Sequence, residues 1–237
     1  MPTELKLEIT LLSDATFGRG DGVAGLIDAE VEHDEYGLPY LRGRTIRGLL
    51  VEECANVFYA LAGHSALAQL ETTASQLFGC AGSTAEEMGK LKFGSATLPE
   101  NFRTAVASEV MAKRKDQNKG LDTAEVLEAM TAIRRQTAIE TTGAPLKNSL
   151  RSMRVVLRDT TFTSTLTLDD GVEKQAACAL LAVCVLGLRR GGTGRNRGRG
   201  RLSCKLLDAE SHDITPESFA RFCQLVSPQP EPQKEAA

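Results

Sequence analysis

Apolar and polar residues alternate from Leu5 to Leu12 (LKLEITLL), the period of a half-buried strand, so the chain opens on β structure. The pattern breaks at Ser13 and stays irregular to Arg44. It then resumes with helical spacing at Ile46, Leu49, Leu50, Cys54, Val57, Phe58 and Leu61. That spacing predicts a helix from Thr45, its N-cap, to Gly63. Ser65 to Phe78 reads as a second helix stopped by Gly79. Leu91 to Leu98 (LKFGSATL) reads as a strand. Asn101 to Arg135 reads as mostly helical with a basic patch at Lys113, Arg114, Lys115 and Lys119, and Thr137 to Lys147 as an exposed loop or hairpin tip. Two strands follow, Met153 to Arg158 and Thr161 to Leu168, with the polar Asp159-Thr160 pair between them. An apolar helix from Gly171 to Leu188, a strand from Leu202 to Leu207 and a short helix from Pro216 to Val226 complete the pattern. The last stretch, SPQPEPQKEAA (227–237), has the composition of a disordered tail.

The order strand, helix, strand, long insertion, strand, strand, helix, strand predicts an α+β fold. The expected core is a ferredoxin-like antiparallel sheet with helices on one face, in one domain spanning 1–226. Two excursions leave it: the stretch from Ser13 to Arg44, longer than a connection needs, and a thumb-like insertion at about 101–150.

Composition narrows the class. The 237 residues are 42% hydrophobic and 25% charged, ordinary for a globular protein, with a formal net charge of -3. A basic segment on such a body is a local feature, which argues for a specific polyanion groove over indiscriminate binding. Six scattered cysteines with no C-x-x-C pair, and three histidines outside any zinc spacing, argue against a structural zinc site. The N-terminus has no apolar signal core and no apolar run reaches membrane-spanning length, so the expectation is a cytoplasmic protein with reduced thiols and no membrane partner.

The segment from Leu188 to Leu202, LRRGGTGRNRGRGRL, interleaves six arginines with five glycines. Glycine permits close backbone approach and arginine supplies planar, permanently charged donors suited to phosphate. Its order, helix then glycine loop then strand, reverses that of a P-loop, and no Gly-Lys-Ser/Thr ending is present.

Gly20, Gly22 and Gly25 satisfy G-x-G-x-x-G, but the residues that follow are extended and turn at Gly37-Leu-Pro39, so no helix faces a dinucleotide there. The acidic residues Asp21, Asp28, Glu30, Asp34 and Glu35 lie in this stretch. They are either a solvated acidic loop or carboxylates kept on a nucleic-acid-binding surface for proton transfer or for holding a divalent ion. Asp28 stands out because Leu26 and Ile27 precede it and should anchor it. Arg42, Arg44 and Arg47 cluster where the first long helix begins, a place that favours anions; pairing with Glu52 and Glu53 is the competing reading. Ile133 to Gly143 is basic and polar and leads to Arg151 and Arg154, which suggests a projecting hairpin with arginine at its base.

Three of these stretches, in this order, resemble the RAMP superfamily of CRISPR-associated proteins. GLPYLRGRTIRGLL is similar to that family's G-x-P-Y turn and helix, LKFGSATL to its following strand, and LRRGGTGRNRGRGRL to its C-terminal glycine-rich loop. Ile27-Asp28 with Val31 resembles the aspartate loop, and Ile133 to Thr137 the central basic segment, of the Cas-seven group that forms the backbone of type III Csm and Cmr effectors. The chain departs from the pattern at Arg42, Arg44 and Thr45, where Pro and Ser-Ser are usual, and at Arg134, where Asp is common.

The resemblance implies a modified RNA-recognition-motif core with a projecting thumb hairpin. It implies binding of the CRISPR RNA backbone through Arg42, Gly43, Arg44, Thr45, Arg47, Arg134, Arg135, Gly191, Gly192, Gly194, Arg195, Arg197 and Arg199. It further implies cleavage of single-stranded target RNA by Asp28 with a divalent metal, magnesium or manganese, and no organic cofactor. The implied partners are CRISPR RNA, target RNA, other RAMP subunits and further copies of the chain. Two alternatives are a non-catalytic RNA-binding subunit and a guide-processing endoribonuclease, for which His33 is the available base.

Overall fold

Strand β1 (Thr3–Leu11) sits inside a four-stranded antiparallel sheet, flanked by β5 (Thr161–Leu168) and β6 (Leu202–Leu207), with β2 (Leu91–Phe93) outside β5. This is the computed structural model of the chain, and it describes residues 2–22, 27–80, 82 and 88–227. Helices α1 (Gly43–Ala60) and α2 (Leu67–Phe78) lie in the connection from β1 to β2. Helix α5 (Lys174–Gly187) joins β5 to β6, and α6 (Thr215–Val226) follows β6. The order β2-β5-β1-β6 therefore interleaves two split βαβ units, a ferredoxin-like α+β sheet.

The pleat sorts the strands. Leu5, Leu7, Ile9 and Leu11 face the helices together with Phe162, Leu166, Leu202, Cys204 and Leu206, all buried. Each leucine so buried stabilises the fold by roughly 1.5–3 kcal/mol. Helix α5, its first turn capped by the Glu173 carboxylate, is buried along most of its length and packs against α1, α2 and α6. The other sheet face carries Lys6, Glu8, Thr10, Thr161, Thr163, Thr165, Thr167, Ser203 and Lys205. No aromatic side chain stands on that face of the named strands, so it has none of the stacking platform on which RNA-recognition motifs hold bases.

The insertion between β2 and β5 contains α3 (Glu100–Lys115), α4 (Thr123–Met130), and a two-stranded ribbon of β3 (Thr131–Gln136) and β4 (Arg151–Val156). The mostly helical reading of Asn101 to Arg135 holds for α3 and α4 and is corrected only at its end, where α4 stops at Met130 and the chain turns straight into β3. Strand β3 pairs only with β4 and buries only Thr131, so it carries no alternation to read. Helix α1 begins at Gly43, before Thr45, with Arg42 as N-cap and no side-chain cap. The strand expected over Leu91 to Leu98 breaks after Phe93. Pairing with β5 then resumes as Thr97 bonds Thr163, leaving Ala96 to bridge across to Leu41. The expected tail beyond Ser227, and the glycine and leucine at 25 and 26, lie outside the described residues.

Candidate nucleic-acid interface

The segment after β1 zips the glycine-arginine loop to the ribbon. On one side Leu12 N donates to Arg201 O, Thr193 N to Thr16 O and Gly200 N to Asp14 O, at 2.8, 2.8 and 2.9 Å. On the other, Ala15 and Val156 exchange backbone bonds, and Thr16 Oγ1 donates to Arg154 O at 2.8 Å. The fit is close: a Cβ at Gly192 would stand 2.5 Å from the Thr16 carbonyl, and one at Gly191 would press on Phe17 and Leu202. These glycines thus serve internal packing.

Residues 27–32 dock beside this seam. Asp28 N donates to Ser152 O at 2.8 Å, Arg154 N to Ala29 O at 2.9 Å, and Glu32 N to Phe17 O at 3.1 Å. Underneath, Glu30 pairs with Arg154 at 2.9 Å. Glu32, buried, pairs with Arg42 at 2.6 Å, and its carbonyl accepts from Tyr40 N, which brings the start of α1 to the same surface.

Of the arginines expected to meet phosphate, several are engaged by the protein itself. Arg42 holds Glu32 and Arg134 grips Asp14 with two bonds of 2.7 and 2.9 Å. Arg195 forms a bidentate pair with Glu52 at 2.7 and 2.8 Å, and Arg199 donates to the Met153 sulfur. Arg47, grouped by the sequence with Arg42 and Arg44 at the start of α1, donates to the Phe78 carbonyl at the end of α2, one of the orphan acceptors of that helix terminus. Gly43 is buried because a Cβ there would run into the Phe93 carbonyl. Arg44, Arg135 and Arg197 are exposed, and Thr45 is half-buried.

These pairs shift their members in the expected directions. Hydrogen bonding to Arg195 draws the Glu52 carboxyl below its ordinary value, and the same bond raises the Arg195 guanidinium. Bonding to Glu32 likewise raises Arg42.

Two grooves flank the β3–β4 ribbon. One is lined by Gln136, Ile139, Lys147, Ser149, Arg151 and Arg197 among others, and no carboxylate belongs to its lining. The second holds Arg134, Arg158 and Arg199 but also Asp14 and Asp159. Sequence reasoning missed Lys147 as a contributor and placed Arg151 only at the base of a hairpin. Lys147 lies on the returning arm of the hairpin loop and Arg151 opens β4, and the fold brings both into one groove lining with Arg197.

Asp28 stands at the edge of the carboxylate-free groove, its side chain 46% exposed. Its Oδ2 accepts from Ser152 N at 2.7 Å, while the Arg151 guanidinium lies 3.4 Å from Oδ1. Ile27 is buried beside it, in keeping with an anchored carboxylate. A divalent ion is a poor match for these donors: one carboxylate, with an N–H on one oxygen and a cation beside the other. Among the described residues, one group of three ligating side chains has its ligand atoms within 4.8 Å of one another, namely Asp208, Glu210 and His212 on the turn after β6; Asp28 belongs to no such group. His33 lines neither groove and bonds the Asp34 carbonyl through Nδ1.

The architecture has counterparts. It is similar to a chain of the type III-B Cmr-beta complex solved by cryo-EM in the apo state, with a TM-score of 0.58 and 14% identity, covering 87% of this chain and 98% of that one. It is also similar to a chain of the type III-B Cmr-beta complex bound to cognate target RNA, with a TM-score of 0.57 and 13% identity, covering 91% and 98%. Among curated proteins none matches the sequence. The family model of the RAMP superfamily matches residues 8–203.

Proposed function

The chain belongs to the RAMP superfamily, and on that premise we propose that it is an RNA-binding backbone subunit of a type III CRISPR effector that cleaves bound target RNA through Asp28. The observation that carries the RNA-binding part is the groove along the ribbon: Lys147, Arg151 and Arg197 converge there with no carboxylate in the lining. Three cations on an otherwise acidic chain are the footprint of a sugar-phosphate backbone, held by charge and shape while base pairing reads the sequence. CRISPR RNA, target RNA, neighbouring RAMP subunits and further copies of the chain are the partners in this reading.

The cleavage part rests on Asp28 and Arg151. A ribose 2′-hydroxyl beside Asp28 Oδ1 gives its proton to the carboxylate as its oxygen bonds the adjacent phosphorus. The bond from phosphorus to the 5′-oxygen breaks, that oxygen takes a proton from solvent, and a 2′,3′-cyclic phosphate remains. The Arg151 guanidinium, within reach of the same point, balances the charge that grows on the phosphate oxygens. Because the donor set does not fit a resident divalent ion, no step is assigned to one; chelator-treated and metal-supplemented reactions compare the two cases.

The test is Asp28→Asn in the assembled complex with labelled target RNA. Cleavage is expected to fall by about 10²- to 10⁴-fold with target binding kept. Unchanged cleavage removes the catalytic role. It would favour a second reading, an RNA-binding subunit without chemistry, which draws on the engagement of both Asp28 oxygens within the protein.

A further inference from the structure

Arg195 opens a single 3₁₀ turn, Arg195–Arg197, suspended between Gly194 and Gly198. Both glycines are left-handed, at φ 79° and 82°, and added Cβ atoms would meet nothing closer than 3.9 Å. Packing therefore does little to fix the turn. Backbone bonds at Thr193 and Gly200 hold the loop on either side, and Arg190 reaches the Arg195 carbonyl at 3.3 Å. The side chains of the turn, however, are tied to a helix by the fork-to-fork pair of Arg195 with Glu52, which projects from α1. In a 3₁₀ turn successive side chains step by about 120°. With Arg195 pinned against α1, Arg197 is turned the other way and enters the groove with Lys147 and Arg151, a groove that Arg195 does not line.

We infer that Glu52 is a positioning residue for RNA binding, an acidic side chain that aims Arg197 at the backbone by holding Arg195 on α1. The inference rests on the RNA-binding reading above, and it gives Arg195 a different part from the direct phosphate contact that its place in the glycine-arginine loop implies. The Glu52 carboxyl, drawn down by its bond to Arg195, stays charged throughout the neutral range, so the anchor is closed under working conditions.

Its test turns on a sign. By charge alone, removing a carboxylate beside a basic groove tightens polyanion binding. If Glu52 is the anchor, removing it weakens binding because Arg197 loses its aim. The affinity of the full chain for a labelled single-stranded RNA oligonucleotide of mixed sequence would be measured over a salt series for the parent, Glu52→Gln, Arg197→Ala and the double exchange Glu52→Arg with Arg195→Glu. The folded state of each variant would be checked by thermal melting.

Glu52→Gln is expected to bind roughly two- to five-fold more weakly, the range a partly exposed ion pair can supply. The exchanged pair, with net charge unchanged, is expected to recover most of that loss. Tighter or unaltered binding by Glu52→Gln, with Arg197→Ala weakened, overturns the anchor and leaves the RNA-binding reading standing. An exchanged pair no better than Glu52→Gln also overturns it, since Arg195 then meets phosphate directly. If Arg197→Ala binds as the parent does, the groove reading itself fails.

Discussion

Arg154 and Glu30 meet as an ion pair at 2.9 Å with side-chain exposures of only 13% and 4%, directly beneath the loop that presents Asp28. The Arg154 amide bonds Ala29, and a second nitrogen of its guanidinium reaches Thr131 Oγ1 at 3.1 Å. Burying two charges is costly, so such a pair is poor evidence for stability in itself. It does fix which loop conformation is allowed, because any other would leave a carboxylate unpaired in the interior.

Arg154→Met should therefore destabilise the chain by about 3–5 kcal/mol, the cost of an uncompensated buried carboxylate. Arg154→Met combined with Glu30→Gln should recover part of that loss. Chemical denaturation gives the energies, and hydrogen exchange at the Asp28 amide, which bonds Ser152, reports whether the loop has lifted. Equal losses in the single and double variants would show that the two residues are not coupled.

The groove reading makes a quantitative claim. Each phosphate contact on single-stranded RNA contributes about 0.7 to the slope of log affinity against log salt. Replacing Lys147, Arg151 and Arg197 together by alanine should flatten the slope by about 2 if all three touch the backbone. An unaltered slope, with the fold intact, would mean that the cations of this groove do not meet phosphate.

The sheet was largely legible because its strands bury one face: β5 and β6 occupy the ranges that alternation indicates, and the apolar helix α5 lies within its expected span. The ribbon was less so. Strand β4, which buries Met153, Val155 and Val156, was found but begins at Arg151 where Met153 was expected, and β3 hides at the end of a helical stretch because it buries only Thr131. The site was legible in its residue types and not in its pairings. Glu30 read as a member of an acidic loop and Glu32 drew no notice, yet both are buried. Their partners, Arg154 and Arg42, are set by long-range docking that no local spacing encodes.

Two glycines in the motif-bearing segments should respond differently to alanine. At Gly43 a methyl group meets the Phe93 carbonyl, so α1 must shift off β2, and a loss of about 1–3 kcal/mol is expected. At Gly198 the methyl group enters open space, and only the left-handed backbone opposes it, for about 1 kcal/mol. Thermal denaturation of the two variants ranks them; a larger loss at Gly198 would contradict the packing described for the start of α1.

Thiol chemistry tests the core independently. All six cysteines are free, with Cys80 and Cys223 exposed and Cys54, Cys178, Cys184 and Cys204 buried. Burial pushes the Cys204 thiol up to about 12 and also raises Cys178 and, through its bond to Cys54 and burial, Cys184. A raised folded-state value favours the neutral thiol, so the stability Cys204 contributes is complete below its ordinary value of 9.0 and is lost only as pH climbs toward 12. Alkylation of the native protein at mildly alkaline pH should thus modify Cys80 and Cys223 quickly, with the other four reacting only after denaturant is added. Mass spectrometry of the labelled peptides counts the sites. Rapid labelling of Cys204 in the native state would mean that the inner face of β6 is uncovered, contrary to its packing beneath α5.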